Sequence, residues 1–470
     1  MMSPRALSAV LLLAASVPSC LPHLRRAPPR PPRGESAEVF VYVEPFPSTA
    51  ARLQVSLNAV GLVYADGTEA TLELERREVG AATDPVLLAW GRVPAGSCQA
   101  LRVGVRRAVL TSPSGPADLL VPVEPVTTPL PTALTPGGAA IFSLALAEPG
   151  ALTATVELPA LWHARRVDSR MPEMVTYASV ADAAMIVAID RRYGQVVDAI
   201  ATGRGPRGVA IDRIERRAYV TLADEDATSV IDLAAGREYK RLYGYPGDEP
   251  TAVDWLANHG VLLIANAGSN TLSFVRPEME TEVARVATGE RPVSIAVDRE
   301  GRRAYVLNEL SSSITIVDIA NMAVVGSTRT EARPVRAQVD RTGRELVVLA
   351  AGSPDLVVYE LPSMRPVRRV YVGLGARALR LDPTTDALWV AMGDEPKLVM
   401  FAAHAMLPSV SVPLPAVAGY LAIDDVENRL WATLPEGHAV AVVDLVSRRV
   451  LHVAEIGAAA SFLSLIGERR

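Results

Sequence analysis

Four arginines occupy a recurring step of this chain: Arg207, Arg291, Arg333 and Arg377. Arg291 and Arg333 stand one residue before Pro292 and Pro334, while Arg207 and Arg377 stand one residue after Pro206 and Ala376. A guanidinium presents a planar fork of N–H donors that grips a carboxylate or phosphate through paired hydrogen bonds. Four such forks around one opening would accept an anionic group, for example an acidic sugar or a peptide carboxylate. The one-before, one-after offset would arrange them in two tiers rather than in one flat ring. Glu249 and Glu290 lie alongside and would neutralise the arginines if they paired with them. The anion site therefore competes with a purely structural use of the same charges.

The elements that must hold these arginines are set by repetition. Pro206, Pro250, Pro292, Pro334, Ala376, Ala418 and Ala460 fall 42 residues apart, except for one step of 44 between Pro206 and Pro250. A bulky column follows the same spacing at Tyr177, Tyr219, Leu263, Tyr305, Val347, Trp389 and Trp431. A third column ends a strand at Asp190, Asp232, Arg276, Asp318, Glu360, Ala402 and Asp444. A period near 40 with about four short strands per unit is the signature of a β-propeller. Each column has seven members, which gives seven blades. Runs such as SVIDL and ITIVDI are almost unbroken apolar stretches, as expected for strands covered on both faces.

The ends of the series predict how the ring closes. The first blade enters at Met174 with a second-type strand, Val175–Val180, and lacks a first strand. The chain finishes on an orphan first-type strand, Ser461–Ile466. Together they complete one blade and remove a free sheet edge.

The repeats RRAYVTL (Arg216–Leu222) and RRAYVLN (Arg302–Asn308), with RPVSIAVD before and SITIVD after the second, resemble the YVTN repeat of bacterial extracytoplasmic seven-bladed propellers. The resemblance runs from Met174 to Ile466. It implies an envelope or surface protein, and its wider relatives include lactonases and lyases. Fold and activity separate freely on such scaffolds.

The remaining chemistry points away from catalysis. No C-x-x-C-H stands in the chain for a covalent haem, and no pair of cysteines is spaced for a thiolate metal site. Of the six histidines, His259 falls in a first-to-second-strand turn and His438 in a second-to-third-strand loop, on opposite faces of a propeller. No metal and no cofactor is expected. Asp212, Asp298, Asp340, Asp382 and Asp424 form a column that could suggest a metal ring. Each precedes a turn, however, so their carboxylates are expected to accept turn amides. Loops such as GRGPRG (Gly203–Gly208) and GDEPK (Gly393–Lys397) form one polar face, the default binding surface of such a ring. The reading is a binding or scaffold module. An alternative is a lactonase- or lyase-like enzyme at the central mouth.

Upstream, residues 1–20 have the form of an export leader, with Arg5, the apolar run Ala6–Val17 and then Ser19–Cys20. The 12 residues of that run are too few to span a bilayer. Val17-Pro18-Ser19-Cys20 resembles a lipobox, which implies acylation of Cys20. Leu21, in place of aspartate, implies outer-membrane sorting, facing the periplasm or the cell surface. Ordinary leader cleavage nearby is the competing reading. Residues 21–36 are a Pro/Arg-rich tether of extended character.

Residues 37–160 lack the repeat. Seven or so short strands with turns at Asp66-Gly67, Pro136-Gly137-Gly138 and elsewhere predict an antiparallel β-sandwich. Val93–Leu110 is similar to prealbumin-like domains of unknown function, with Cys98 where an aromatic is common. Residues 161–173 read as a polar linker and 174–470 as the propeller. The whole is all-β. The net charge of −5 argues against a nucleic-acid partner. The expected partners are a membrane, through the lipid anchor, and an envelope protein, glycan or small anionic ligand.

Overall fold

The computed structural model describes residues 36–112, 115–146, 162–167, 171–393, 395–403 and 405–466. Cys20, the leader and nearly all of the tether lie outside them. Seven four-stranded antiparallel sheets form the ring. Blades 2 to 7 begin with the inner strands Pro206–Asp212, Pro250–Leu256, Pro292–Val297, Pro334–Val339, Ala378–Leu381 and Tyr420–Asp424. Blade 1 combines Val175–Val180, Met185–Asp190 and Val196–Ala201 with the last strand of the chain, Ala460–Leu465. Thr176 pairs with Leu465 and Ala178 with Leu463, so the ring closes as the orphan strand predicted.

The repeated columns explain why each blade folds. Tyr219, Tyr305, Trp389 and Trp431 are all fully buried, and they pack between neighbouring sheets. Burying one large apolar side chain is worth roughly 1.5–3 kcal/mol. The aspartate columns cap turns. Asp212 accepts from the amides of Ile214 and Glu215, Asp340 from those of Thr342 and Arg344, and Asp444 from that of Val446. Asp424 does the same for Val426 and Glu427 and also accepts Arg191 Nε at 2.6 Å, which ties blade 7 to blade 1 across the closure.

The N-terminal region is one ten-stranded sheet that curls around a core of its own. Its path runs from Trp162–Arg166 through Ala139–Leu146, Ser36–Val43, Val86–Pro94 and Glu69–Leu74 to Leu53–Tyr64 and Gly96–Ser112. Val126–Leu134 pairs with Gly96–Ser112, and Arg166 Nη1 reaches back to it, donating to Thr132 Oγ1 and Ala133 O at 3.2 Å. The two ends of the curl thus meet. One neighbour pair departs from the antiparallel expectation: Ser36–Val43 and Ala139–Leu146 run parallel. They are joined through the rest of the sheet, not by a hairpin, so direction is not dictated by a tight turn.

The stretch expected to be a linker also needs correcting. Trp162–Arg166 is an edge strand on Ala139–Leu146. Trp162 is buried, with its ring edge-on to Phe46 at 6.1 Å, while His163, Arg165 and Arg166 remain outside the core. A polar-looking segment forms an edge strand when alternate side chains reach the core. Cys98 is a buried free thiol whose Sγ contacts Ala100 O at 3.5 Å, and burial pushes its pKa up.

The sheet docks on the closure side of the ring. Phe40, Tyr42, Leu87 and Ile141 share an apolar cluster with Val187, Ala199, Trp431 and Ile456. Tyr42 Oη donates to Glu455 O at 2.8 Å. The Glu455 carboxylate accepts Arg76 Nη2 at 2.7 Å and the Leu87 amide at 3.0 Å, and His452 Nδ1 lies 2.8 Å from Asp84.

Candidate functional site: the channel of the ring

The inner strands enclose a central channel of about 1420 Å3. At five of the seven blades its rim is shaped by the residue preceding the blade start. Gly205, Glu249, Arg291, Arg333 and Gly375 all have positive φ, between 46° and 81°. That conformation is uncommon without glycine and must be held by neighbours. Here the preceding blade holds it: the Glu249 amide donates to Asp226 Oδ1 at 2.9 Å and the Arg291 amide to Asn270 Oδ1 at 2.8 Å. The rim is therefore a set of pinned turns.

Arg207 and Arg291 line the channel, while Arg333 and Arg377 lie outside its lining. The rim cations meet acids, though not those expected from sequence. Glu309 takes both Arg291, at 3.2 Å, and Arg333, at 2.7 Å, and Arg377 meets Glu436 at 3.4 Å. Arg207 is exposed, and its carbonyl accepts Ser179 Oγ at 2.8 Å.

Deeper in, a second group of side chains comes together that sequence reading missed. Two residues after each blade start the chain reads Gly208, Ala252, Ser294, Arg336, Ala378, Tyr420 and Phe462. Four blades carry small residues at this step. The other three, blades 5, 7 and 1, carry large ones that face the channel. Arg336 reaches across the small Ala378 of blade 6 to blade 7, where its guanidinium carbon lies 5.0 Å from the centroid of the Tyr420 ring. Tyr420 in turn lies 4.1 Å from Phe462, centroid to centroid.

The guanidinium is poorly satisfied. Its Nη1 donates to the adjacent Val335 O at 3.1 Å, its Nε is buried without a hydrogen-bond partner, and it makes no ion pair among the described residues. Burial holds the Arg336 pKa below the ordinary arginine range, partly opposed by Tyr420. Two residues further along the inner strands, roughly 6.6 Å deeper at 3.3 Å per residue, Gln338, Arg380 and Asp254 also line the wall. Gln338 is committed to the Leu381 amide at 2.7 Å. At the opposite mouth His259 meets Gly301 O at 3.1 Å, and Arg341 pairs with Asp386 at 3.3 Å. The signal that would have revealed the deeper group is the break in an otherwise small-residue column.

This ring, with its enclosed channel and one blade shared between chain ends, defines a seven-bladed β-propeller. Residues 162–383 match the family described as YNCE-like beta-propeller, from the strand Trp162–Arg166 into the start of blade 6. This agrees with the resemblance of the repeats. No curated protein matches the chain. Among solved structures, hydrazine synthase of Kuenenia stuttgartiensis is similar with a TM-score of 0.52 and 14% identity, over 60% of this chain and 97% of that one. The dihydro-heme d1 dehydrogenase NirN, in complex with DHE, is similar with a TM-score of 0.52 and 12% identity, over 64% of this chain and 76% of that one. At such identities the likeness is one of fold alone.

Proposed function

We propose that this chain is an exported envelope protein, anchored through an acylated Cys20, that recognises a ligand in the channel of its propeller. A binding or scaffold role suits the fold, and the leader with its lipobox-like end supports export. The observation that carries the reading is the channel itself: about 1420 Å3, with a cation and two aromatic rings on one wall. The channel is larger than the roughly 300–1,000 Å3 of ordinary small-ligand pockets, so it has room for one, and its lining mixes apolar and polar groups as theirs does. The wall suits binding better than lactonase- or lyase-like turnover. Among the described residues no three His, Cys, Asp or Glu side chains are grouped to hold a metal ion, and the repeated aspartates are spent on turns. The acidic net charge fits a partner other than nucleic acid. Arg207 and Arg291, at the rim, would guide an anionic ligand inward.

The test uses extracts of the native envelope dialysed against the pure protein. The native protein should retain small molecules that a Val293→Trp variant, with its channel filled, does not. Equal retention by both would remove the channel as the site. Membrane partition after Cys20→Ala tests the anchor. Persistence in the membrane fraction with unchanged intact mass would remove the lipid.

A further inference from the structure

We infer that the channel ligand is a small molecule bearing a carboxylate or phosphate, gripped by Arg336 while its apolar part lies against Tyr420 and Phe462. This rests on the reading of the channel as a ligand site and adds the chemistry of that ligand. Three observations converge. Arg336 lines the channel wall below the rim arginines and makes no ion pair among the described residues. Its Nε is buried without a partner, and a protein interior rarely leaves a donor in that state. The guanidinium already lies over the Tyr420 ring, 5.0 Å from its centroid, which limits the orientations it can take. A carboxylate or phosphate entering the channel would supply the anionic acceptor that suits a guanidinium.

The aromatic pair supplies the second half of the recognition. Tyr420 and Phe462 are both partly exposed to the channel, on adjoining blades of the closure. They offer an apolar shelf next to the cation. Asp254, an acid on the facing wall, lies one tier deeper with Arg380. At the rim, the Asp226 carboxylate is engaged by the Gly247 and Glu249 amides, and Glu309 by Arg291 and Arg333.

The test is calorimetric titration of the full chain with benzoate, phenyl phosphate and the neutral isostere benzamide. Fluorescence of the channel-lining Trp255 gives a second readout. Benzoate or phenyl phosphate should bind saturably and at least ten-fold more tightly than benzamide; their rank order separates a carboxylate from a phosphate ligand. Arg336→Gln should weaken the better anion at least ten-fold and benzamide by a clearly smaller factor. If Arg336→Gln fails to fold, Arg336→Lys serves instead: it keeps the charge, removes the fork and should still weaken binding several-fold. Anions no tighter than benzamide, or anion binding that ignores folded Arg336 variants, would overturn the inference. In that case benzamide binding lost on Val293→Trp would leave the channel standing as a ligand site. No saturable binding of any of the three probes would overturn the inference as well.

Discussion

Blade 3 and the channel wall use the same pair of side chains in opposite ways. In blade 3 the Arg285 guanidinium lies 4.4 Å from the centre of the Tyr245 ring and donates to both oxygens of Asp248, at 2.7 and 2.8 Å, and to Glu282 at 2.6 Å. In the channel Arg336 lies 5.0 Å from the centre of the Tyr420 ring and makes no ion pair among the described residues. The first arrangement is complete and ties the inter-blade turn to the outer strand. The second has the aromatic support but, among the described residues, no acid. A fork that meets its acid within the chain is structural. One held open toward a lumen is placed for an acid from outside. The rim falls between the two, since the exposed Arg291 and Arg333 share the largely buried carboxylate of Glu309.

The contrast makes ordered predictions. Arg285→Ala should have the largest effect on stability, because it leaves Asp248 buried and charged. Removing one partner of such a pair costs about 3–5 kcal/mol, read from the urea midpoint. A loss below about 1 kcal/mol would put Arg285 in the same class as a surface pair.

Acid should act on the same corner. Burial raises the Asp248 pKa, but hydrogen bonds from Arg285, Ser269 and the Tyr245 amide outweigh it and hold the carboxyl below its ordinary range. With a lowered folded pKa, the stabilisation is fully present above the unfolded value of about 4 and is lost as pH falls through the folded one. Denaturation of native protein and Asp248→Asn should therefore differ steadily from pH 5 to 7, with the gap closing below about pH 4. A gap that widens in acid would mean that the pair is misassigned.

Arg336→Met should move stability the other way in ligand-free protein. It replaces a desolvated cation by an apolar chain of similar length, a change that is neutral or stabilising by about 1–2 kcal/mol. A clear loss of stability would give Arg336 a structural role like that of Arg285. The smallest effect should come from Arg333→Ala, at about 0.2–1 kcal/mol, because Glu309 keeps Arg291 and the Arg333 side chain is 62% exposed.

What was legible in the sequence follows from range. The blade count, the closing strand and the turn-capping aspartates repeat every 42 residues and use neighbours in the chain, so one sequence displays them. Trp162–Arg166 was not legible as a strand, because its partner Ala139–Leu146 supplies the reason to pair and the segment itself looks polar. Tyr42 and Glu455 meet across 413 positions, and nothing local announces that contact. The four rim arginines were visible as types at a spacing, but their acids, Glu309 and Glu436, come from neighbouring loops that the spacing does not encode. The channel group was hidden for a different reason. Arg336, Tyr420 and Phe462 sit at one step of three blades and become a constellation only when the ring is closed.

The most direct measurement is a crystal structure of the full chain grown with 4-bromobenzoate, with the bromine located by its anomalous signal. The account predicts bromine inside the channel beside Tyr420 and Phe462, with the carboxylate on the Arg336 guanidinium. Bromine found only at the rim around Arg291 and Arg333, with the channel free of it, would contradict the account.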